Sequence, residues 1–414
     1  MPTTTPEVHH LTEWTTDDIE CSLDVVALLQ DVFRADVSPR RSADGSPVWR
    51  VRPSGVVGIA RTDDVVVVVR PRIPVENVLR LAGASATPWH DDAAPAGAVA
   101  DLHLALARLF VRTVERTLGE GVLRGYRQQR EDLLTVRGRI DLAEQIRRRP
   151  GRNLPLAVSY EEHDEDVLEN RLIKSAAVAL QRLRFDDEPV RRGLHRIVMT
   201  LQGVTAEPAT QPHEVLWTRL NERYRPAVGL AQLVLDGTGI DLTVGGVAAQ
   251  TLTLPMHEIF EDFLAHELGR RLGERGGRVY PQDVRWTLDA DRTVGLRPDL
   301  VWDQEGHPVA VVDAKYQRVG PRDTHGDNAY QLLAYCTALG LPEGHLVYAE
   351  AVGPIPPPLR VVRGGPTIHL HALDLAAPFA EVMAQLDGIA RVIASKGPPV
   401  AARTSPGVAA APGA

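Results

Sequence analysis

The sequence predicts a multidomain α/β protein, with an N-terminal β-rich module, a helical middle region and a C-terminal α/β domain built on a central mixed sheet. Three observations carry this. Apolar runs of strand length crowd the first 85 residues, and apolar spacings of three and four dominate residues 101 to about 235. Beyond residue 250 the pattern becomes helix, three strands, helix, strand. The chain has 414 residues, 44% of them hydrophobic, which is enough for two or three domains with cores of their own.

The segment "SLDVVALLQDVFRA" suits a helix, and "PVWRVRPSGVVGIARTDDVVVVVRPRI" gives two or three short strands, so residues 1–85 are expected to form a β-rich module. Residues 86–100, Ala, Pro and Gly-rich, are expected to be a linker. Four helical patterns then mark a mainly helical middle domain over 101–250: "DLHLALARLFVRTVERTLGEGV", "DVLENRLIKSAAVALQRLR", "EPVRRGLHRIVMTLQGV" and "LNERYRPAVGLAQLVLDG". The last domain, 251–396, opens with the helix "LPMHEIFEDFLAHELGRRLGER", whose Met256, Ile259, Phe260, Phe263, Leu264 and Leu268 form one stripe. The tail 397–414, nearly devoid of bulky apolar side chains, is expected to be disordered.

Charge and cysteine content narrow the function. A net charge of −8 argues against a protein that coats nucleic acid indiscriminately. Locally the balance shifts: residues 124–152 carry nine Arg against four acids, and residues 161–169 carry six acids and no Lys or Arg. Such runs are usually solvated faces, although the Arg-rich part has the composition of a phosphate-tracking strip. With only Cys21 and Cys336, neither a disulfide framework nor a cysteine zinc site is expected. The N-terminal residues lack a signal-peptide pattern and no window spans a bilayer, so a cytoplasmic location with no membrane partner is the expectation.

Chemistry concentrates in "LRPDLVWDQEGHPVAVVDAKYQ", residues 296–317. Side chains alternate along a strand, so Asp313 and Lys315 share a face with Val309 and Val311. A turn centred near Gly306 leaves Asp299 and Asp313 equidistant from it, and a simple hairpin sets them opposite one another. Facing carboxylates repel. Such a pair persists if a divalent ion with oxygen ligands lies between them. The same spacing suits a salt-bridged sheet end in which one carboxylate caps a turn or pairs with Arg297 or Lys315, and spacing alone leaves both readings open.

Pro298-Asp299, thirteen intervening residues and Asp313-Ala314-Lys315 after four apolar residues resemble the PD…(D/E)xK signature of a nuclease superfamily. Gln331 and Tyr335, one helical turn apart, resemble the QxxxY motif of its RecB-like branch. This resemblance implies a restriction-endonuclease-like α/β domain in which Asp299, Asp313 and the Ala314 carbonyl hold Mg²⁺. Lys315 would orient or deprotonate the attacking water, Gln331 would join the catalytic set, and Glu261 would add a third carboxylate, with Glu267 in reserve.

Further pieces, in order, resemble the McrC family: "VVVVVRPRI", "LTVRGRIDLAEQI", "YEEHDEDVLENRLIKSA", "RLNERYRPAVGLAQLVL", "FEDFLAHEL" and the hairpin itself. The resemblance implies the Mg²⁺-dependent DNA endonuclease subunit of a 5-methylcytosine restriction system. Its partners would be methylated DNA and an McrB-like AAA+ GTPase ring, docked by residues 1 to about 100, alone or together with the helical middle region. Consistently, the sequence has no GxxxxGK[ST] loop of its own. Two other readings are a non-catalytic activator of the ring and a stand-alone RecB-like repair nuclease.

Other residues suit structural roles. His257 and His266, nine apart on one helix, face different sides and make no zinc pair. "YEEHDED" reads as an acidic surface loop, and Asn170 with Lys174 as a packing or helix-to-helix hydrogen-bonding pair.

Overall fold

The computed structural model describes residues 6–41, 47–84, 101–152, 154–206, 215–238, 242–244, 247–321 and 326–396. The expected linker 86–100 and the expected disordered tail 397–414 lie outside these residues. Two compact units divide the chain, Met1–Pro255 and Met256–Ala414.

The first unit begins with β1 (Glu7–Thr12), β2 (Asp17–Glu20), α1 (Leu23–Asp31), β3 (Asp36–Arg41), β4 (Pro47–Arg52), β5 (Val56–Arg61), β6 (Val65–Arg70) and α2 (Val75–Ala84). Ser22 caps α1, its Oγ accepting from the Val25 amide at 3.4 Å. All five valines of β6 are buried, as a strand covered on both faces requires. After these come α3 (Leu102–Gly119), β7 (Gly125–Leu133), β8 (Arg139–Ile140), α4 (Leu142–Arg148), β9 (Leu156–Asp164), α5 (Leu168–Arg182), α6 (Glu188–Thr200) and α7 (Arg225–Gly237). Two strands close the unit, β10 (Leu242–Val244) and β11 (Val247–Pro255).

Two domain expectations need correction here. The N-terminal sheet is not complete by residue 85, because its order is β1-β6-β5-β11-β10 and β11 arrives from beyond residue 246. Gln250–Pro255 pair antiparallel with Val56–Arg61, so residues 251–255 belong to this first sheet and not to the last domain. Gly58 makes the pairing possible: at φ 136°, a Cβ there would meet the Leu252 carbonyl oxygen at 2.0 Å. The middle region is also less helical than its spacing predicts, since β7, β9 and β8 form a three-stranded sheet. β7, "GYRQQREDL", has no buried residue and hence no apolar alternation to betray it.

In the second unit follow α8 (Met256–Gly273), β12 (Arg278–Pro281), β13 (Leu300–Gln304), β14 (His307–Val319), α9 (Gly326–Leu339), β15 (Glu343–Ala351), β16 (Leu359–Arg360), β17 (Thr367–Ala372) and α10 (Phe379–Lys396). They form a mixed sheet of order β12-β13-β14-β15-β17-β16. β14, β15 and β17 run parallel, and the outer pairs are antiparallel. Every predicted stripe residue of α8 is buried, each contributing about 1.5–3 kcal/mol. On the other face, Leu332, Tyr335, Cys336 and Leu339 of α9 join Val301, Val311, Leu346 and Leu370 in one core. A Cβ on Gly344 would meet Cys336 Sγ at 2.6 Å, so this glycine lets α9 lie close on β15.

Candidate active site

The β13–β14 hairpin turns on Glu305 and Gly306, whose φ values of 55° and 83° are those of a type I′ turn. Gln304 pairs with His307 and Asp303 with Pro308, a register that would set Asp299 opposite Val312. Between Trp302 and Asp303 the register shifts. Trp302 pairs with Ala310, so Val309 is an extra residue and the remaining pairs become Val301 with Val311 and Leu300 with Val312. One step further, Asp299 meets Asp313. A β-bulge therefore creates the carboxylate pair that symmetry about Gly306 anticipates, although the turn itself is centred half a residue earlier.

Asp299 lies in the loop ahead of β13. Its Oδ2 accepts from the Ala314 amide at 2.7 Å. The loop is held by the Gln282 amide, which donates to the Asp299 carbonyl at 2.9 Å, and by the Asp283 amide, which donates to the Pro298 carbonyl at 3.2 Å. Asp283 is in turn fixed by Arg285 and by Trp286 Nε1 at 2.9 Å. This brace was not anticipated, and its one sequence signal is the run "QDVRW" at 282–286.

Asp313 is 1% exposed in the middle of β14. Lys315 Nζ stands 2.6 Å from its Oδ2, yet the approach lacks hydrogen-bond alignment and neither Asp313 oxygen accepts a well-directed bond. We regard the contact as an ion pair that leaves the lone pairs of Asp313 aimed at no donor. Burial, then the charge of Asp299, pushes the Asp313 carboxyl up to about 7. Burial also raises Asp299, against the lowering effect of the Ala314 amide and Lys315.

Glu261, on α8, lies within the field of both aspartates and of Lys315. Burial, then the charge of Asp299, raises its carboxyl to about 7. Among the described residues no three His, Cys, Asp or Glu side chains stand close enough to hold a metal together, so Glu261 flanks the aspartates without closing a ligand set. Glu267, the reserve candidate, is not brought to the site: its Oε2 is 2.5 Å from Arg271 Nη1, and Arg271 also binds Asp387 at 2.5 Å.

Gln331 is brought to the site, its Oε1 accepting from Lys315 Nζ at 3.0 Å. Arg297, a possible carboxylate partner by spacing, instead hydrogen-bonds Gln282 Oε1. One lysine thus faces three carboxyl groups. Burial and mutual repulsion raise these carboxyls, because one lysine does not balance three acids. Asp299 and Asp313 are the donor type that a hard divalent cation takes, and Asp313 is buried with no well-directed donor on either oxygen.

Outside the site, Asn170 Nδ2 donates to the Leu123 and Glu165 carbonyls at 2.8 and 2.7 Å, and Lys174 Nζ to the Val204 carbonyl at 2.5 Å. Both serve packing. Three of the nine Arg of the basic run pair with acids of the following run, as Arg127–Asp164, Arg137–Glu162 and Arg124–Glu165. Asp166, within "YEEHDED", is a buried hub and not a surface acid, bonded to Arg171 at 2.8 Å and the Thr205 amide at 2.7 Å.

A β-hairpin in an α/β domain that gathers a buried and a half-buried aspartate beside one lysine defines a class of site, and the comparisons with known proteins define the family. The family model described as "McrBC 5-methylcytosine restriction system component" matches residues 51–349. The chain belongs to that family. No curated protein matches it in sequence. Among solved structures it is similar to a chain of a half-complex from the tetradecameric assembly of Thermococcus gammatolerans McrB AAA+ hexamers with bound McrC. There the identity is 18%, the TM-score 0.58, and coverage 93% of this chain and 100% of that one. A second T. gammatolerans McrBC complex matches at 20% identity and TM-score 0.40, over 64% of this chain and 88% of that one.

Proposed function

We propose that this chain is the McrC-like, DNA-cleaving subunit of an McrBC-type modification-dependent restriction system, with a PD-(D/E)xK nuclease domain in its second unit and a cytoplasmic location. The observation that carries the reading is the carboxylate pair Asp299 and Asp313, the first half-buried and the second fully buried, set together beside Lys315. A structural hairpin end gains nothing from such repulsion.

Asp299, Asp313 and the Ala314 carbonyl would hold Mg²⁺, with Glu261 beside them as a further negative charge, and the ion when bound polarises the scissile phosphate and acidifies water. Lys315, 16% exposed, orients the attacking water and offsets the charge that develops on the phosphoryl oxygens. As water oxygen bonds to phosphorus, the phosphodiester P–O bond breaks and the departing alkoxide takes up a proton. Gln331 holds the lysine at the correct height.

The first of the similar solved structures comes from an assembly of McrB AAA+ hexamers with bound McrC, and we assign this chain an equivalent GTP-hydrolysing ring and methylated DNA as partners. The docking surface lies on the first unit. Beyond residues 1–100, it extends to the arm formed by β7, β9, β8 and α4, which leaves Tyr126, Leu134, Val136, Leu142 and Ile146 each more than half exposed.

The test is cleavage of 5-methylcytosine DNA by the full chain with its ring partner, GTP and Mg²⁺. Asp313→Ala or Lys315→Ala should lower cleavage by at least about 100-fold while partner binding stays intact. Normal cutting by both variants would show that the site is misplaced. GTP stimulation by the wild type without cleavage under any metal would favour the activator reading, and cleavage without partner or nucleotide the stand-alone one.

A further inference from the structure

Tyr335 is buried in the α9 core, 4% exposed, and its one polar atom is spent on two bonds. The hydroxyl accepts from Gln331 Nε2 at 2.8 Å and donates to the Arg297 carbonyl at 3.1 Å. Gln331 Oε1 accepts from Lys315 Nζ at 3.0 Å. The four groups form one chain from the lysine to the loop that delivers Asp299.

The direction of this chain is forced. A lysine ammonium only donates, so it must face the amide oxygen of Gln331 and turn the amide nitrogen toward Tyr335. The tyrosine oxygen must then accept, which sends its own proton to the one acceptor left, the Arg297 carbonyl. Were the tyrosine hydroxyl absent, Gln331 Nε2 would lose the partner that anchors it, and the amide would be tied to the site through Lys315 alone.

We infer that Tyr335 is a positioning residue of the nuclease site: it sets the orientation of Gln331 and, through it, the place of Lys315 relative to the Asp299 loop. The inference rests on the nuclease reading above and adds how its lysine is held. Tyr335 touches neither water nor phosphate. Its contribution is geometric, and misplacing a reacting group by about 1 Å costs up to about 100-fold in rate.

The experiment is single-turnover and steady-state cleavage of 5-methylcytosine DNA by the full chain with its ring partner, GTP and Mg²⁺. It compares Tyr335→Phe, Gln331→Ala and the double variant. Phenylalanine keeps the ring packing and removes only the hydroxyl. We expect Tyr335→Phe to lower kcat by about 10- to 100-fold with KM for DNA nearly unchanged, and Gln331→Ala to do the same. The double variant should be no slower than the worse single one, because both break one chain. A general loss of structure instead multiplies the two defects and lowers the unfolding midpoint with them; that result, or wild-type kcat for Tyr335→Phe, overturns the relay. Asp313→Ala run alongside separates the two claims: if it is dead while Tyr335→Phe is normal, the relay fails and the nuclease reading stands. If Asp313→Ala cuts normally, the nuclease reading itself fails.

Discussion

Asp313 keeps a carboxyl at 1% exposure with two further carboxyls and one lysine around it. Its contact with Lys315 was legible in the sequence, because alternation along "VAVVDAKYQ" sets Asp313 and Lys315 on one face. Glu261 was legible only as a choice between helix positions; Glu267 is engaged by Arg271, while Glu261 lies in the field of both aspartates. The Tyr335 bond to a backbone carbonyl could not be read at all, since it joins residues 38 apart through a loop. Asp166 carries a residue-scale prediction of its own. Burial opposes its charge, but Arg171 and Thr205 outweigh that and lower its carboxyl from the ordinary 3.8 to about 2. A folded value below the unfolded one stabilises the fold at pH above about 4 by about 2 kcal/mol, and this is lost as the pH falls through about 2. Asp166→Asn should therefore lower the urea midpoint at pH 7, and the gap to wild type should narrow as acid is added. An equal gap at pH 7 and near pH 2 would contradict the ion-pair account.

The hairpin shows how an element places a residue. Its turn and its bulge each look like a defect, and only together do they bring Asp299 opposite Asp313. Glu305 sits at φ 55°, a left-handed position that Asn occupies at less cost. We expect Glu305→Asn to raise stability by about 0.5–1 kcal/mol, read as a higher unfolding midpoint, with cleavage unchanged. A drop would mean that Glu305 makes a contact the turn geometry does not require. Elements with clear periodicity were legible: the α8 stripe, the α3, α5, α6 and α7 patterns and the strands of the central hairpin. Those missed fail for physical reasons. β7 is polar along its length, and β11 enters the sheet by pairing with β5, whose residues lie more than 180 positions earlier. Pairing at such range leaves no local trace.

At the scale of the molecule, the chain consists of two units, and the sequence reading separated the second from the rest within five residues of its observed start at Met256. It divided the first unit in two because β11 is remote from its partners. Among the described residues no helix is long and apolar enough to cross a membrane. With no GxxxxGK[ST] loop, the purified chain should hydrolyse GTP no faster than a protein-free blank, and hydrolysis should appear only when the ring is added. Turnover by the chain alone would assign it a nucleotide site that this account does not contain. The central claim is that Asp299 and Asp313 form a cation site. Calorimetric titration of the full chain with Mn²⁺ tests it most directly, comparing wild type with Asp313→Asn at neutral pH. Saturable binding by the wild type that Asp313→Asn weakens by at least about 10-fold is the predicted result; equal binding by both, or none by the wild type, would contradict it.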